Sequence, residues 1–158
     1  MVSNPLPAFA RRLAQQPWVM GMSPVVVPVE RVIRRVTKGR KGVLDLAGLP
    51  SIEITVAGRK TGIARTTSLL YVPYGEAFLI IGSNWGDPKH PVWSANLRAA
   101  STASVRHRGE RFEVTVTEIT GVERKRLWDL AVEFWPGYEM EHALSGYREF
   151  RIFELRRD

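Results

Sequence analysis

The chain of 158 residues is 44% hydrophobic and 25% charged, a balance typical of one globular domain and not of a disordered chain. It has no cysteine, which excludes disulfide bonds, thiolate metal sites and a cysteine nucleophile. Its formal net charge of +7 lies mostly in residues 1–50, which carry eight Lys and Arg against two Asp and Glu. A nucleic-acid-binding domain usually spreads its positive charge over the folded surface, so this distribution does not favour such a domain.

The first fifty residues are predicted to form a helical arm. A short helix is expected over residues 5–16, and a second from about Val27 to Lys38 with Pro28 in its first turn. The second helix has an apolar stripe at helical spacing, formed by Val29, Val32, Ile33 and Val36. We expect this stripe to pack on the core. Contact of residues 1–40 with an anionic membrane surface is the alternative.

Residues 51–158 are predicted to form one folded domain. Apolar residues alternate with a period of two from residue 51, which predicts a half-buried strand, and the apolar run Phe78–Ile81 predicts a strand buried on both faces. The turn Arg108-Gly109-Glu110 predicts a hairpin between its flanking strands. The expected strands cover residues 51–56, 66–72, 78–81, 103–107, 111–117 and 150–155.

Three helices are expected in the same domain, over residues 91–98, 120–135 and 138–144. Thr120 and Glu123 match a capping box at the start of the longest of them. Because the strands cluster in the sequence and several are joined by hairpin-length links, we predict an α+β fold. It would be a small antiparallel barrel or curved sheet with helices packed outside it.

Two segments between these elements have the composition of an anion-binding site. Gly58–Arg65 places three cations and two glycines in eight residues between two predicted strands. Ser83–Trp93 puts Lys89 just before the helix that starts at Pro91, where free amides and the helix dipole favour anions. Glycine admits a ligand close to the backbone, and clustered Arg and Lys bind phosphate or carboxylate. We predict that the two segments form one site for an anionic cofactor.

Motifs for other chemistry are missing from the sequence. Lys60-Thr61 does not complete a P-loop, because Arg59 stands where that motif needs glycine, and no Gly-x-Gly-x-x-Gly supports a Rossmann site. No base is spaced to activate Ser83 as a nucleophile. The histidines lack metal-ligand spacing, so no metal site is predicted among His90, His107 and His142.

A set of motifs in residues 50–158 has the order and spacing of a known family. The set comprises Gly58-Arg59-Lys60-Thr61-Gly62, Arg65-Thr66-Thr67, Ser83, Gly86, Lys89-His90-Pro91, Trp93, Asn96-Leu97 and Trp135-Pro136-Gly137-Tyr138. It resembles the deazaflavin-dependent nitroreductase family, known mainly from actinobacteria. The resemblance implies a split β-barrel like that of flavin-mononucleotide-binding oxidases. It also implies hydride transfer from reduced coenzyme F-420 to a quinone, an activated alkene or a nitro compound.

The resemblance further implies roles for individual residues. The phosphodiester and the oligoglutamate tail of the coenzyme would be held by Arg59, Lys60 and Arg65. The ring and the ribityl chain would be lined by Ser83, Lys89, Pro91, Val92 and Asn96. The expected cofactor-binding set is completed by Thr61, Thr67 and Asn84.

The acceptor is expected beside the ring, in a pocket formed by Trp85 and the C-terminal aromatics Trp135, Tyr138 and Tyr147. Tyr138 and Ser83 are the candidate catalytic residues, with Tyr138 as proton donor because a phenol can donate at neutral pH. Packing at the end of a helix is the alternative role of Trp135. Two residues depart from the family's pattern. Trp85 stands where a small residue is expected, and Glu141 stands where some members have an aromatic one.

We therefore predict an F-420-dependent reductase of a small-molecule acceptor, monomeric or homodimeric, with no nucleic-acid partner. Two alternatives stay open: a flavin-mononucleotide (FMN)-dependent split-barrel oxidoreductase, and a non-catalytic barrel whose basic arm binds a membrane surface or nucleic acid. The sequence has no secretory signal pattern and no apolar run long enough to span a bilayer. A cytoplasmic location is expected, with contact at the inner face of the cell membrane as the alternative.

Overall fold

The computed structural model describes residue 16 and residues 23–36 and 49–158. Their elements run in the order α1 (Ser23–Val36), β1 (Ser51–Ala57), β2 (Ala64–Leu70), β3 (Val72–Tyr74), β4 (Ala77–Ile81), a 3-10 turn (Asn84–Gly86), α2 (Val92–Ala99), β5 (Thr102–His107), β6 (Glu110–Glu118), α3 (Val122–Phe134), α4 (Gly137–Leu144) and β7 (Ile152–Arg157). The helix predicted over residues 5–16 lies outside the described residues, apart from Gln16.

The seven strands form one antiparallel sheet in the order β2-β1-β5-β6-β7-β4-β3. Neighbouring strands in the sequence pair as hairpins, β1 with β2, β3 with β4, and β5 with β6. The last strand, β7, lies between β6 and β4 and so joins the two groups of strands into one curled sheet. This is the antiparallel α+β architecture that the sequence predicts.

The sheet carries two buried apolar clusters, one on each face of its central strands. The side chains of β4 alternate between the two, since Phe78 and Ile80 lie in the first cluster and Leu79 and Ile81 in the second. All five residues of β4 are buried, which confirms the strand predicted to be covered on both faces. Leu97 of α2 packs in the first cluster, whereas α3 and α4 pack in the second.

The starts of two helices differ from the predictions. Helix α1 begins at Ser23, so Pro28 lies inside the helix and not in its first turn. Helix α3 is capped by Gly121, whose φ is 67°, and no side chain makes a capping hydrogen bond. The predicted capping box of Thr120 and Glu123 is therefore wrong: the N-cap is one residue later, at Gly121, whose positive φ suits glycine.

Three of the four residues in the apolar stripe of α1 are exposed and Ile33 is half-buried, contrary to the expectation that the stripe packs on the core. Val29, Val32 and Val36 have exposed fractions of 44%, 61% and 76%. Arg31 and Arg35 are also exposed. Among the described residues, the two clusters of the sheet contain residues of α2, α3 and α4 and none of α1. Among the described helices, none has the length and apolar character needed to cross a bilayer.

Candidate functional site

The basic turn between β1 and β2 contacts helix α2 through one buried side chain. The backbone N–H of Arg59 donates to Asn96 Oδ1 at 3.1 Å, and the Arg59 guanidinium reaches the same oxygen at 3.4 Å. Asn96 is only 3% exposed, so these bonds satisfy a buried amide oxygen. The structure thus brings together two residues that the family resemblance assigns to the cofactor, one from the basic turn and one from α2.

The basic turn presents its polar side chains to solvent. It is closed by a backbone hydrogen bond from Gly58 N–H to the carbonyl oxygen of Ile63, at 2.8 Å. Glycine suits the first position, because a Cβ there would lie 2.9 Å from Thr61 Oγ1. Lys60, Thr61 and Arg65 are all exposed. A ligand can therefore reach these groups from outside the sheet.

Four cations around this site have no ion-pair partner in the part of the chain that the structure describes: Arg59, Lys60, Arg65 and Lys89. Several cations elsewhere do pair with acids, as in α3, where Lys125 pairs with Asp129 at 2.7 Å. Free guanidinium and ammonium groups are the donors that phosphate and carboxylate ligands use. The local charge therefore favours an anionic ligand.

The segment after β4 has an unusual backbone. Asn84, Trp85 and Gly86 have φ angles of 50°, 56° and 79°, in a left-handed region that a bulky residue such as Trp rarely adopts. The side-chain amide of Asn84 donates to the carbonyl oxygen of Lys89 at 2.9 Å and closes the loop. Strain of this kind persists only where surrounding contacts impose it, and it is concentrated at binding sites. Trp85 is half-buried there, and its place in the acceptor pocket stays a prediction.

One arginine fastens this loop to the C-terminal part of the chain. The guanidinium of Arg148 donates to the carbonyl oxygens of Gly82 at 3.0 Å and Ser83 at 2.9 Å, and to that of Asp87 at 3.1 Å. It also lies 3.0 Å from Nδ1 of His90. Because guanidinium can only donate, that nitrogen accepts and His90 is neutral. Burial lowers the pKa of His90, and the charge of the neighbouring arginines lowers it further.

Replacement of Arg148 should destabilise the loop that it holds. Arg148→Lys keeps the charge but cannot reproduce the planar set of donors, so it is expected to destabilise the protein by about 1–3 kcal/mol. Urea denaturation measures this change, and coenzyme titration should show weaker binding in the same variant. Arg156→Lys is the matched control, because Arg156 is an exposed residue that pairs with Glu154. Equal stability of the two variants would contradict the claim that the hydrogen bonds of Arg148 stabilise the loop.

Ser83 lies against a buried acid. Its hydroxyl donates to Glu141 Oε1 at 3.1 Å, and Glu141 is only 5% exposed. Burial raises the pKa of this carboxyl to about 7, against a smaller lowering by the hydrogen bond from Ser83. Gly86 allows the loop to pack on α4, because a Cβ there would lie 3.1 Å from the backbone oxygen of Glu141 and 3.0 Å from Leu144 Cβ.

The aromatic residues assigned to the acceptor lie in different surroundings. Tyr138 is 3% exposed in the second cluster, where burial, and then the charge of Glu141, raise its pKa. Trp135 packs against the same cluster, in keeping with its alternative role. Tyr147 is 72% exposed and meets His142 edge-on, with ring centroids 5.4 Å apart. The structure therefore brings Trp135 and Tyr138 into one cluster and leaves Tyr147 outside it.

The remaining predicted cofactor residues lie at the start of α2 and on β2. Pro91 is buried at the N-cap, and Val92 beside it is 72% exposed. Thr67 is half-buried on β2. A cation that the sequence did not single out lies here as well, because Arg151 Nη1 donates to Ser94 Oγ at 3.1 Å. Its buried Nε has no hydrogen-bond partner among the described residues.

The chain is similar to proteins of known class. Residues 29–151 match the family model described as F420H(2)-dependent quinone reductase. An F420H(2)-dependent quinone reductase of Mycobacterium tuberculosis (strain ATCC 25618 / H37Rv) is 37% identical over 103 residues, which are 64% of this chain and 69% of that one.

Two solved structures share the fold at appreciable identity. One, described as an F420-H2 dependent reductase (FDR-A), has a TM-score of 0.60 and 32% identity, covering 68% of this chain and 94% of that one. The other, described as a domain-swapped dimer, has a TM-score of 0.63 and 29% identity, covering 88% and 97%. These likenesses confirm the predicted split-barrel fold and the resemblance to deazaflavin-dependent reductases. The chain belongs to the F420H(2)-dependent quinone reductase family.

Proposed function

We propose that this protein takes a hydride from reduced coenzyme F-420 and transfers it to a quinone. The observation that carries the proposal is the contact of the basic turn with α2 through Arg59 and Asn96, among cations that lack acidic partners. A quinone is favoured over an activated alkene or a nitro compound, because the family and its curated relatives are named for quinone reduction.

The residues at the site fit the chemistry of the coenzyme. A phosphodiester with an oligoglutamate tail is a polyanion, and the side chains of Arg59, Lys60 and Arg65 are exposed cations on one turn and the strand that follows it. Neutralisation of several negative charges by such side chains supplies binding energy without a metal ion or a covalent bond. These three residues would hold the phosphate and the tail.

The rest of the site would position the planar ring. The bound coenzyme supplies the hydride, and the chain supplies the surface that orients it. Val92 offers an exposed apolar side chain at the start of α2, next to the buried Pro91 and on the same helix as Asn96. Holding ring and acceptor at reacting distance is worth about 7–11 kcal/mol of the barrier.

The acceptor class is tested by offering three compounds to the purified protein with reduced coenzyme under anaerobic conditions. The compounds are menadione, cyclohexenone and nitrobenzene, and the return of the absorbance of the oxidised coenzyme reports turnover. Menadione should be reduced fastest. Rapid reduction of cyclohexenone or nitrobenzene with none of menadione would contradict the quinone assignment.

We also propose that helix α1 holds the protein at an anionic membrane surface. Its exposed valines and its exposed Arg31 and Arg35 give the helix the composition of an interfacial amphipathic helix. Apolar side chains enter the headgroup region, while cations attract anionic lipid. A lipophilic acceptor would be concentrated at the same surface.

Charge placed on the apolar stripe should release the protein from lipid. Val32→Asp together with Val36→Asp is expected to lower binding to phosphatidylglycerol-containing vesicles by at least about tenfold, because two apolar contacts are lost. Co-sedimentation measures the bound fraction. Val122→Asp on α3, at a still more open position that is 91% exposed, is the control. Unchanged binding by the α1 variant would refute the membrane role.

A further inference from the structure

Among the residues that the structure describes, no cation pairs with the buried acid Glu141. Acidic side chains are rarely this buried unless they are paired, because removing a charge from water is costly. In the described chain the carboxyl has one hydrogen-bond partner, the neutral hydroxyl of Ser83. Ion pairing with a described residue therefore does not explain the burial of this acid, and its position beside Ser83 points to a role in the candidate site.

The acid lies directly behind a residue of the candidate site. Ser83 is half-buried on the loop that carries the predicted ring contacts, and its hydroxyl points to the carboxyl at 3.1 Å. The loop cannot shift easily, because Arg148 holds the Ser83 carbonyl oxygen and Gly86 packs tightly on α4. Ser83 is thus the polar group that connects the buried carboxyl of Glu141 to the surface of the candidate site.

We propose that Glu141 is the acid that supplies the proton for the reduction, through the hydroxyl of Ser83. This inference rests on the proposed function, because hydride transfer to a quinone leaves an anionic oxygen that must gain a proton. When Glu141 is protonated, its O–H can donate to Ser83 Oγ, the reverse of the direction in the resting structure, and this frees the Ser83 O–H for the quinone oxygen. The Ser83 O–H bond breaks as the new O–H bond of the hydroquinone forms. The Ser83 oxygen takes the proton of the Glu141 carboxyl, and the resulting carboxylate regains a proton from water before the next turnover.

The surroundings of Glu141 support this role over the role first assigned to Tyr138. Burial raises the pKa of Glu141 to about 7, so the carboxyl can both hold and release a proton near neutral pH. Burial raises the pKa of Tyr138 further from neutrality, which makes that phenol a weaker donor. Among the described residues, the polar groups with an interaction with the Glu141 side chain are Ser83 from the loop and Tyr138 from its own helix. No charged side chain of the 3-10 turn, of α3 or of residues 145–151 contributes to its shift.

The pH profile of single-turnover reduction tests the relay. In wild-type protein the rate with menadione should fall above about pH 7 as Glu141 loses its proton. Glu141→Gln should react about a hundredfold more slowly below that pH, and its rate should not fall across the same range. Coenzyme affinity, measured by fluorescence titration, should stay within about twofold, which separates proton supply from binding.

A second measurement uses protein without coenzyme. Infrared difference spectra should show a protonated carboxyl band that titrates near pH 7 and is lost in Glu141→Gln. In Ser83→Ala the titration should move to higher pH, because the hydrogen bond from Ser83 lowers the pKa of Glu141. A carboxyl already ionised at pH 5, or one unaffected by Ser83→Ala, overturns the relay.

The outcomes distinguish the two proposals. If wild-type protein binds no coenzyme, the proposed function fails and the relay fails with it. If wild-type protein binds coenzyme and reduces menadione, but Glu141→Gln keeps the wild-type rate and pH profile, the relay alone is overturned. A slower Glu141→Gln variant that keeps the wild-type fall above pH 7 also overturns it, because the titrating group is then a different one.

Discussion

Arg59→Ala together with Lys60→Ala is expected to weaken the binding of coenzyme F-420 about a hundredfold. Each exposed cation that contacts a phosphate or carboxylate contributes roughly 1.4 kcal/mol, which is about a tenfold change in affinity. The loss should be smaller at high salt, because screening already weakens the wild-type contacts. Fluorescence titration at two salt concentrations measures both effects.

The control for this variant is another adjacent basic pair. Lys125→Ala with Arg126→Ala removes the same charge from α3, where the two cations pair with Asp129 and Glu123. That variant should keep the wild-type affinity. If both double variants bind the coenzyme equally well, the basic turn does not hold its phosphate and tail.

Glu141→Gln is expected to remove a pH dependence of stability. The pKa of Glu141 is raised in the folded protein, from 4.5 to about 7, so the folded state binds the proton more tightly than the unfolded state. This contribution is fully present below pH 4.5 and is lost as pH rises through about 7. Each unit of difference corresponds to about 1.4 kcal/mol, so the loss is about 3 kcal/mol.

Urea denaturation of wild type and variant at several pH values checks this expectation. The free energy of unfolding of wild type should fall relative to that of Glu141→Gln between about pH 4.5 and 7. Glu139→Gln, at an exposed position on the same helix, should run parallel to wild type. Parallel curves for Glu141→Gln as well would show that the carboxyl is ionised when folded.

Local patterns predicted the strands and the basic turn, because both depend on neighbouring residues. The alternation from residue 51 and the turn Arg108-Gly109-Glu110 lead to β1 and to the β5–β6 hairpin as observed. The position of β7 between β4 and β6 had no such local signal. Pairing between strands distant in the sequence is decided by packing of the whole sheet.

The parts of the site that the sequence missed are contacts between distant segments. Arg148 binds backbone carbonyl oxygens, and these leave no trace in the side-chain pattern of residues 82–87. Glu141 was interpreted only as a departure from an aromatic position. Glu141 follows Tyr138 by three residues, so the two side chains lie on one face of the helix. This spacing indicates a buried acid only when that face is known to pack against the core.

The central claim is that this chain binds a deazaflavin coenzyme at the turn formed by Gly58–Arg65 and at helix α2. Parallel titration of the purified protein with coenzyme F-420 and with flavin mononucleotide tests it most directly. We predict saturable binding of coenzyme F-420 that is weakened by Arg59→Ala with Lys60→Ala, and much weaker binding of flavin mononucleotide. Tight binding of flavin mononucleotide with none of coenzyme F-420 would contradict the account.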